Sequence, residues 1–468
     1  MTMAEALDTI NATDQLPFAM AAEGFTRIPE ARLQVYEFFA GDPVHRYKEQ
    51  IRVLQDASHD SNPILDLSPQ VVGELHNSRR RLAKILGIVE QNVEATPLEE
   101  SAMYELSARR AAENYYVLQA YRVTDMPAEH PRRIQHAERL HAMGVELFGE
   151  PDKTVFDSLI SMERQKATNL LTHGDPAVRQ LAQEYVDLLP DVTSPNTPYL
   201  PEQATVDHYH NLILEVYGGM LEAAIEPDKE NYKPAQMVQA FNKALDYIGA
   251  SGWCAELRPG ANIVNVNHED KKVYVGADRI PASAMRMKKL LLHEVGIHVM
   301  RRILGEQTAN PLLGGVGLSG NEATEEGLGV VVEQMLDSKA LVKGEQHYMN
   351  IGLSLGLDGH PRDFREVFEI EWRRKVLEKV EGNSNLDIQV VMKAYRIAYS
   401  NVVRVRRGTP ADVSGIAFTK DLAYYNGNGA IWKFLEQKLL TKDEFKKILT
   451  GKHNFLRADH RDLVDTAA

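Results

Sequence analysis

The sequence predicts a mainly helical α+β fold, with a small β-sheet next to one buried helix and a helical region in front of both. Two observations carry this. Apolar and charged residues recur at three-to-four spacing over most of the chain, the period of amphipathic helices. One stretch, "NIVNVNHEDKKVYVGAD" (Asn262–Asp278), breaks that rhythm with two short β-branched runs around a polar turn, which reads as a β-hairpin. It runs directly into "ASAMRMKKLLLHEVGIHVMRRIL", whose apolar residues fit a buried helix from Ala282 to Leu304.

The elements follow in order. Helical patterns run over Arg32–Gln55, Pro69–Gln91, Glu99–Val123 and Ile134–Leu147. The basic cluster "NSRRRLAK" (Asn77–Lys84) reads as a solvated helix face. "LLPDVTSPNTPYLPEQAT" (Leu188–Thr205) holds four prolines and is the expected boundary. It divides the chain into a helical N-terminal region, 1–195, and a C-terminal domain, 196–468. A helix is expected over Val206–Ala224. After the hairpin and the buried helix come a glycine-rich loop (Asn310–Ala323) and a helix from Thr324 to Leu336. "RRGTPADVSGIAFTKDLAYYNGNG" (Arg406–Gly429) reads as loop, and a last helix and charged tail close the chain.

Composition narrows the function. The chain has 468 residues and a formal net charge of −13, a poor match to nucleic acid or an anionic membrane surface. A single cysteine, Cys254, excludes an internal disulfide framework and a Cys-rich zinc ribbon. There is no apolar run of transmembrane length, and the first residues lack the basic and apolar segments of a signal peptide. A cytoplasmic protein without nucleic-acid or membrane partners is expected.

Chemistry concentrates in "KKLLLHEVGIH" (Lys288–His298). Two histidines flank a glutamate, as in the zinc-protease motif H-E-x-x-H, but His293 and His298 are five apart. On an ideal α-helix that spacing separates them by about 140°. A π-bulge would absorb the extra residue and restore a common face; alternatively, the helix ends there. Gly296 lowers the cost of distortion. Glu294 has the place of the general base in H-E-x-x-H enzymes. Two His and one Glu form a recurring catalytic zinc set. "NEATEEGLG" offers Glu322, Glu325 and Glu326 for the third position. Two histidines and a glutamate on an ordinary helix are the plain alternative.

"LLLHEVGIHVMRRILGEQ", "ATEEGLGVVVEQ" and "RVRRGTPADVSGIAFTKDLAYYNG" occur in that order. Together they resemble the zinc metallopeptidase family of the microtubule-associated tyrosine carboxypeptidases. That family includes bacterial QEGLA-motif proteins linked by name to flavohemoglobin expression. Its signature is H-E-x-G-x-H, then x-E-G-L-A, then F-T-K-D-x-x-Y-x-x-G. The resemblance covers roughly Tyr209–Leu440. It implies a zinc-metallopeptidase-like catalytic domain on the HExxxH helix, with one zinc ion per chain. The ion would be held by His293, His298 and Glu326, the glutamate standing directly before Gly-Leu. Glu325 takes the place of the bacterial Gln. Gly329 stands where the family has Ala, a small change, and "EQTANPLLGG" replaces the family's N-G-x-Q-P-L loop.

The activity implied is hydrolytic removal of the C-terminal residue of a peptide or protein tail, with Glu294 as general base. Tyr424 is the candidate oxyanion donor, with a core tyrosine as the alternative. Arg404, Arg407 and Lys420 are candidates for binding the substrate's terminal carboxylate, and the hairpin edge for binding its backbone. Asp421 is a candidate partner for a zinc-bound imidazole. His208 and His210 read as ordinary polar residues on a helix start. The competing readings are a zinc aminopeptidase or endopeptidase, and a non-catalytic regulatory protein on the same scaffold.

Overall fold

The structure is a computed structural model that describes residues 96–467, apart from 125, 193, 195, 262, 269, 309, 315–317, 381–385 and 387. The helices expected over 32–55 and 69–91 lie outside these residues. What is described is mainly helical, with small sheets, as the sequence pattern predicts.

Four helices come first: α1 (Pro97–Thr124), α2 (Arg133–Phe148), α3 (Lys153–Asn169) and α4 (Pro176–Leu188). Asp152 and Asp175 cap α3 and α4 by accepting from the backbone N–H groups of Thr154 and Ala177. The described residues of the proline-rich stretch that follows form no regular structure until α5 (Gln203–Ala224). Next come β1 (Asn231–Tyr232), α6 (Pro234–Tyr247), β2 (Cys254–Arg258), β3 (Val264–Asn267), β4 (Lys272–Gly276) and β5 (Ala282–Ser283).

The expected hairpin is present: β3 and β4 pair antiparallel, Val264 opposite Val275 and Val266 opposite Val273. Two features were not expected. β2 joins β4 in parallel on its other side, giving the order β2–β4–β3, and β1 pairs with β5. Both strands are short, and β2 carries Glu and Arg among its five residues, so neither shows a clear alternation.

The apolar helix divides into α7 (Ala284–Leu290), a π-helical segment (Leu291–Val299) and α8 (Met300–Glu306). Ser283 caps it by accepting from Arg286 N–H. Leu291, Leu292, Val295, Ile297 and Val299 are fully buried, each contributing about 1.5–3 kcal/mol by leaving water. Beyond the short α9 (Pro311–Gly314) lie α10 (Asn321–Asp337), α11 (Glu345–Leu355), α12 (Phe364–Val380) and α13 (Ile388–Val405). The stretch expected as loop up to Gly429 is loop only as far as Phe418. A 3₁₀ turn (Thr419–Asp421) then leads into α14 (Leu422–Lys438). Its glycines serve helix packing: a Cβ on Gly427 would lie 2.6 Å from the Ala323 carbonyl oxygen, and one on Gly327 would lie 2.7 Å from Ile431. Short α15 (Lys442–Ile448) and α16 (Ala458–Ala467) complete the chain.

Two main cores result. The first joins α5, α6, the three-stranded sheet, the π segment, α10, α14 and α15. The second joins α3 and α4 to α11, α12 and α13, so segments on both sides of residue 195 share it. α10 and α14 are locked in rotation by a buried polar network. Gln334 Oε1 accepts from Trp432 Nε1 at 2.6 Å and from Asn428 Nδ2 at 3.1 Å.

Candidate metal centre

The π segment resolves the five-residue spacing. Over Leu291–Val299 the helix widens, and His293 and His298 come to one side with ring centroids 5.1 Å apart. Gly296 lies inside this widened segment. Tyr217 of α5 packs against it: a Cβ there would sit 3.2 Å from the Tyr217 ring, and the Tyr217 hydroxyl donates to the Gly296 carbonyl at 2.7 Å.

α10 crosses the π segment and brings Glu326 between the imidazoles. Its two carboxylate oxygens each lie 3.9 Å from one ring nitrogen, Nε2 of His293 and Nε2 of His298. The opposite nitrogens are already engaged. His293 Nδ1 is 3.0 Å from Glu333 Oε1 and His298 Nδ1 is 2.7 Å from Glu325 Oε1. A carboxylate on the far nitrogen of each imidazole holds the ring and leaves Nε2 on the Glu326 side, the usual environment of a metal-binding histidine. Glu326 is 41% exposed, whereas Glu325 is 5% exposed, so the group opens to solvent on the Glu326 side.

The charges of the site are strongly coupled. Burial opposes protonation of His293, but the Glu333 hydrogen bond and the carboxylates of Glu294 and Glu326 outweigh it and lift its pKa to about 9. Burial raises the Glu333 carboxyl, but His293, Arg286 and Lys343 outweigh it and bring it to about 2. Glu325 is likewise pulled well below the usual range, because Lys452, His298 and Arg301 overcome its burial. Glu294 goes the other way: burial pushes its carboxyl up, against the pull of the two imidazoles.

Among the described residues, two groups could hold a metal ion: His293, His298 and Glu326, and His268, His298 and Glu325. In the second, Glu325 is already bonded to His298, and Lys452 Nζ lies 3.4 Å from the same oxygen, a fixed positive charge beside any cation. The first therefore suits a cation better. Two imidazole nitrogens, one carboxylate and an exposed side also match the donor set of a catalytic zinc site.

Tyr424, in the first turn of α14, lies near enough to Glu326 to feel its charge. Burial raises its phenol pKa, and Glu326 is the next contributor. The Arg404 guanidinium lies over its ring, 4.6 Å from the centroid. Arg404 also forms a close ion pair with Asp421. Asp421 therefore partners Arg404, while the imidazoles take their carboxylates from α10. Arg407, in the loop after α13, and Lys420, in the 3₁₀ turn, are half-buried in the same block; the geometry that gathers the histidines, Glu326 and Tyr424 does not single them out. The arginine between Arg404 and Arg407, Arg406, is a clamp, donating to the carbonyls of Pro410 at 2.8 Å and Val413 at 2.6 Å. His208 and His210 make backbone contacts, to Leu440 O and Met335 O.

Sequence reasoning missed Glu333 and His268. Glu333 lies seven residues after Glu326, two helical turns along the same face, which is a usable signal. His268 lies in the turn just after β3 and packs against Trp253 and His298; nothing in its local sequence marks it. Comparison with protein-family models, with curated proteins and with solved structures finds no match. Among the described residues, no helix is long and apolar enough to cross a membrane.

Proposed function

We propose that this chain is a zinc-dependent metallocarboxypeptidase that hydrolyses the C-terminal residue of a peptide or protein. The observation that carries the reading is the convergence of His293 Nε2 and His298 Nε2 on Glu326, beside the buried Glu294. A zinc ion held by His293, His298 and Glu326 would supply a Lewis acid for the scissile carbonyl and lower the pKa of a water molecule.

The remaining steps belong to the chain. Glu294 takes the proton of the attacking water and passes it to the leaving amine; its burial favours both roles by raising its proton affinity. Tyr424 donates its hydroxyl to the oxygen that gains charge in the transition state. β3 lies at the edge of its sheet and runs beside the π segment. It offers its outer backbone groups to an extended peptide. Arg404 lies over the Tyr424 ring and is the candidate for the terminal carboxylate.

The Arg404–Asp421 pair favours a second reading, an endopeptidase, because the candidate cation already has a carboxylate partner. Incubation of the zinc-loaded protein with matched peptides, C-terminally free and C-terminally amidated, separates the two. Release of single residues from free peptides alone supports the carboxypeptidase. Internal cleavage of both supports the endopeptidase. No cleavage of any peptide by a zinc-loaded chain contradicts the catalytic reading.

A further inference from the structure

We infer that Lys452 is a positioning residue for the metal centre, acting through Glu325 on His298, and that a C-terminal latch carries it into place. The inference rests on the reading of His293, His298 and Glu326 as a metal site.

The latch is the turn between α15 and α16. Gly451 N–H donates to Arg301 O at 3.1 Å, and Lys452 N–H donates to Leu313 O at 3.1 Å. Lys452 O accepts from Leu318 N–H at 2.7 Å. Arg301, three residues after His298 and fully buried, donates from Nε to Gly451 O at 3.0 Å and from Nη2 to His453 O at 2.6 Å. Gly451 has φ +81°, and a Cβ there would lie 2.7 Å from Leu313. Backbone on both sides of Lys452 is thus tied to the metal-bearing helix and to the loop before α10. This fixes the lysine's position.

Its side chain ends 3.4 Å from Glu325 Oε1, the oxygen that faces His298 Nδ1 at 2.7 Å. Arg301 Nη1 stands 4.0 Å from the other oxygen, Oε2. An imidazole that binds a metal through one nitrogen almost always donates from the other to a carboxylate, backbone carbonyl or water that fixes the ring, and for His298 that acceptor is the Glu325 carboxylate. Glu333 does the same for His293, but its cations Arg286 and Lys343 are 44% and 43% exposed, so water can replace them. Lys452 is 13% exposed and Arg301 is 0% exposed. Little water reaches Glu325 to substitute for Lys452, and Arg301 is engaged with the latch backbone.

The test is zinc affinity, measured by chelator competition, with the cobalt(II) absorption spectrum as a second readout. The full chain carries Lys452→Met, Lys452→Arg, Glu325→Gln or the Glu325→Gln/Lys452→Met pair, with Lys343→Met for comparison. Lys452→Met is expected to weaken zinc roughly 10- to 100-fold, the usual size for an outer partner of a metal ligand, and to alter the cobalt spectrum. Lys452→Arg should restore most of the affinity, and Lys343→Met should change it less than about 3-fold by the exposure argument. In the Glu325→Gln background, Lys452→Met should add nothing. Wild-type affinity in Lys452→Met overturns the inference and leaves the metal centre standing. An equal loss in both backgrounds also overturns it, since Lys452 would then act independently of Glu325. Should Lys452→Met alone fail to fold, the pair, which removes both charges together, decides by the same comparison with Glu325→Gln. A wild-type chain that binds no zinc overturns the metal reading and this inference with it.

Discussion

Gly329 stands face to face with His293: a Cβ at residue 329 would lie 2.7 Å from the imidazole Cε1 and 2.8 Å from Nε2. The position falls one turn after Glu326 on α10, where the helix passes over the π segment. Glycine inside a helix ordinarily costs ~1 kcal/mol relative to alanine. Here the missing methyl is the room in which the ring stands. Gly329→Ala, a stabilising change at most helical positions, is expected to weaken zinc affinity at least 10-fold and to give no gain in Tm. Chelator competition and thermal denaturation of the variant check this. Unchanged affinity would mean that His293 does not need its present place.

Glu294→Gln keeps the shape of the side chain and removes its proton-accepting role. Peptide hydrolysis should fall by roughly 10²- to 10⁴-fold, the usual contribution of a general base, while zinc content stays at the wild-type level. Full activity in Glu294→Gln would assign the base elsewhere.

Tyr424→Phe removes the proposed oxyanion donor and leaves the ring under Arg404. The expected effect is a fall in kcat of about 10²- to 10³-fold, with KM little changed. A rise in KM alone would make Tyr424 a substrate contact instead.

Tyr217→Phe tests the π segment. The hydroxyl donates to the buried Gly296 carbonyl at 2.7 Å. Its loss leaves that carbonyl without this donor and should cost about 1–3 kcal/mol of stability, with weaker zinc binding as the histidines lose register. A Tm equal to wild type would show that the widened helix holds without this bond.

The His293–Glu333 pair makes the metal-free protein sensitive to pH. His293 titrates near 9 in the fold, above its ordinary ~6.5, so the stability it contributes is complete below about pH 6.5 and is lost as pH rises through 9. Glu333 titrates near 2, below its ordinary ~4.3, so its contribution is complete above about pH 4.3 and is lost as pH falls toward 2. Zinc bound at the proposed site would take the neutral imidazole and remove the alkaline limb. Between pH 6.5 and 9 the metal-free protein should lose on the order of 3 kcal/mol that the zinc-loaded protein keeps. Denaturation at the two pH values, with zinc and with chelator, measures the difference; equal losses would contradict the coupling.

What the sequence shows plainly is what depends on neighbours in the chain. His293, Glu294 and His298 stand close together in the chain and draw attention as a candidate site, and the β-branched runs around the Asn267–Lys272 turn identify the hairpin. What it hides depends on contacts far along the chain. Gly427 and Gly429 look like turn formers, yet Gly427 lies where α14 meets Ala323 across a helix crossing. Gly329 looks like a minor exchange for alanine until the His293 ring is placed against it. Arg404, Arg406 and Arg407 are indistinguishable in sequence; burial makes Arg406 a loop clamp and leaves Arg404 over Tyr424. Lys452 reaches Glu325 from more than a hundred residues away, so no local pattern could announce it.

The most direct test of the account is the zinc content of the protein purified without chelator, for wild type and for His298→Ala. The account predicts about one zinc ion per wild-type chain, as for a single catalytic site, and its loss in His298→Ala with the fold intact by circular dichroism. A wild-type chain that holds no zinc and takes up none on addition would contradict it, and the two histidines would then be structural residues of a widened helix.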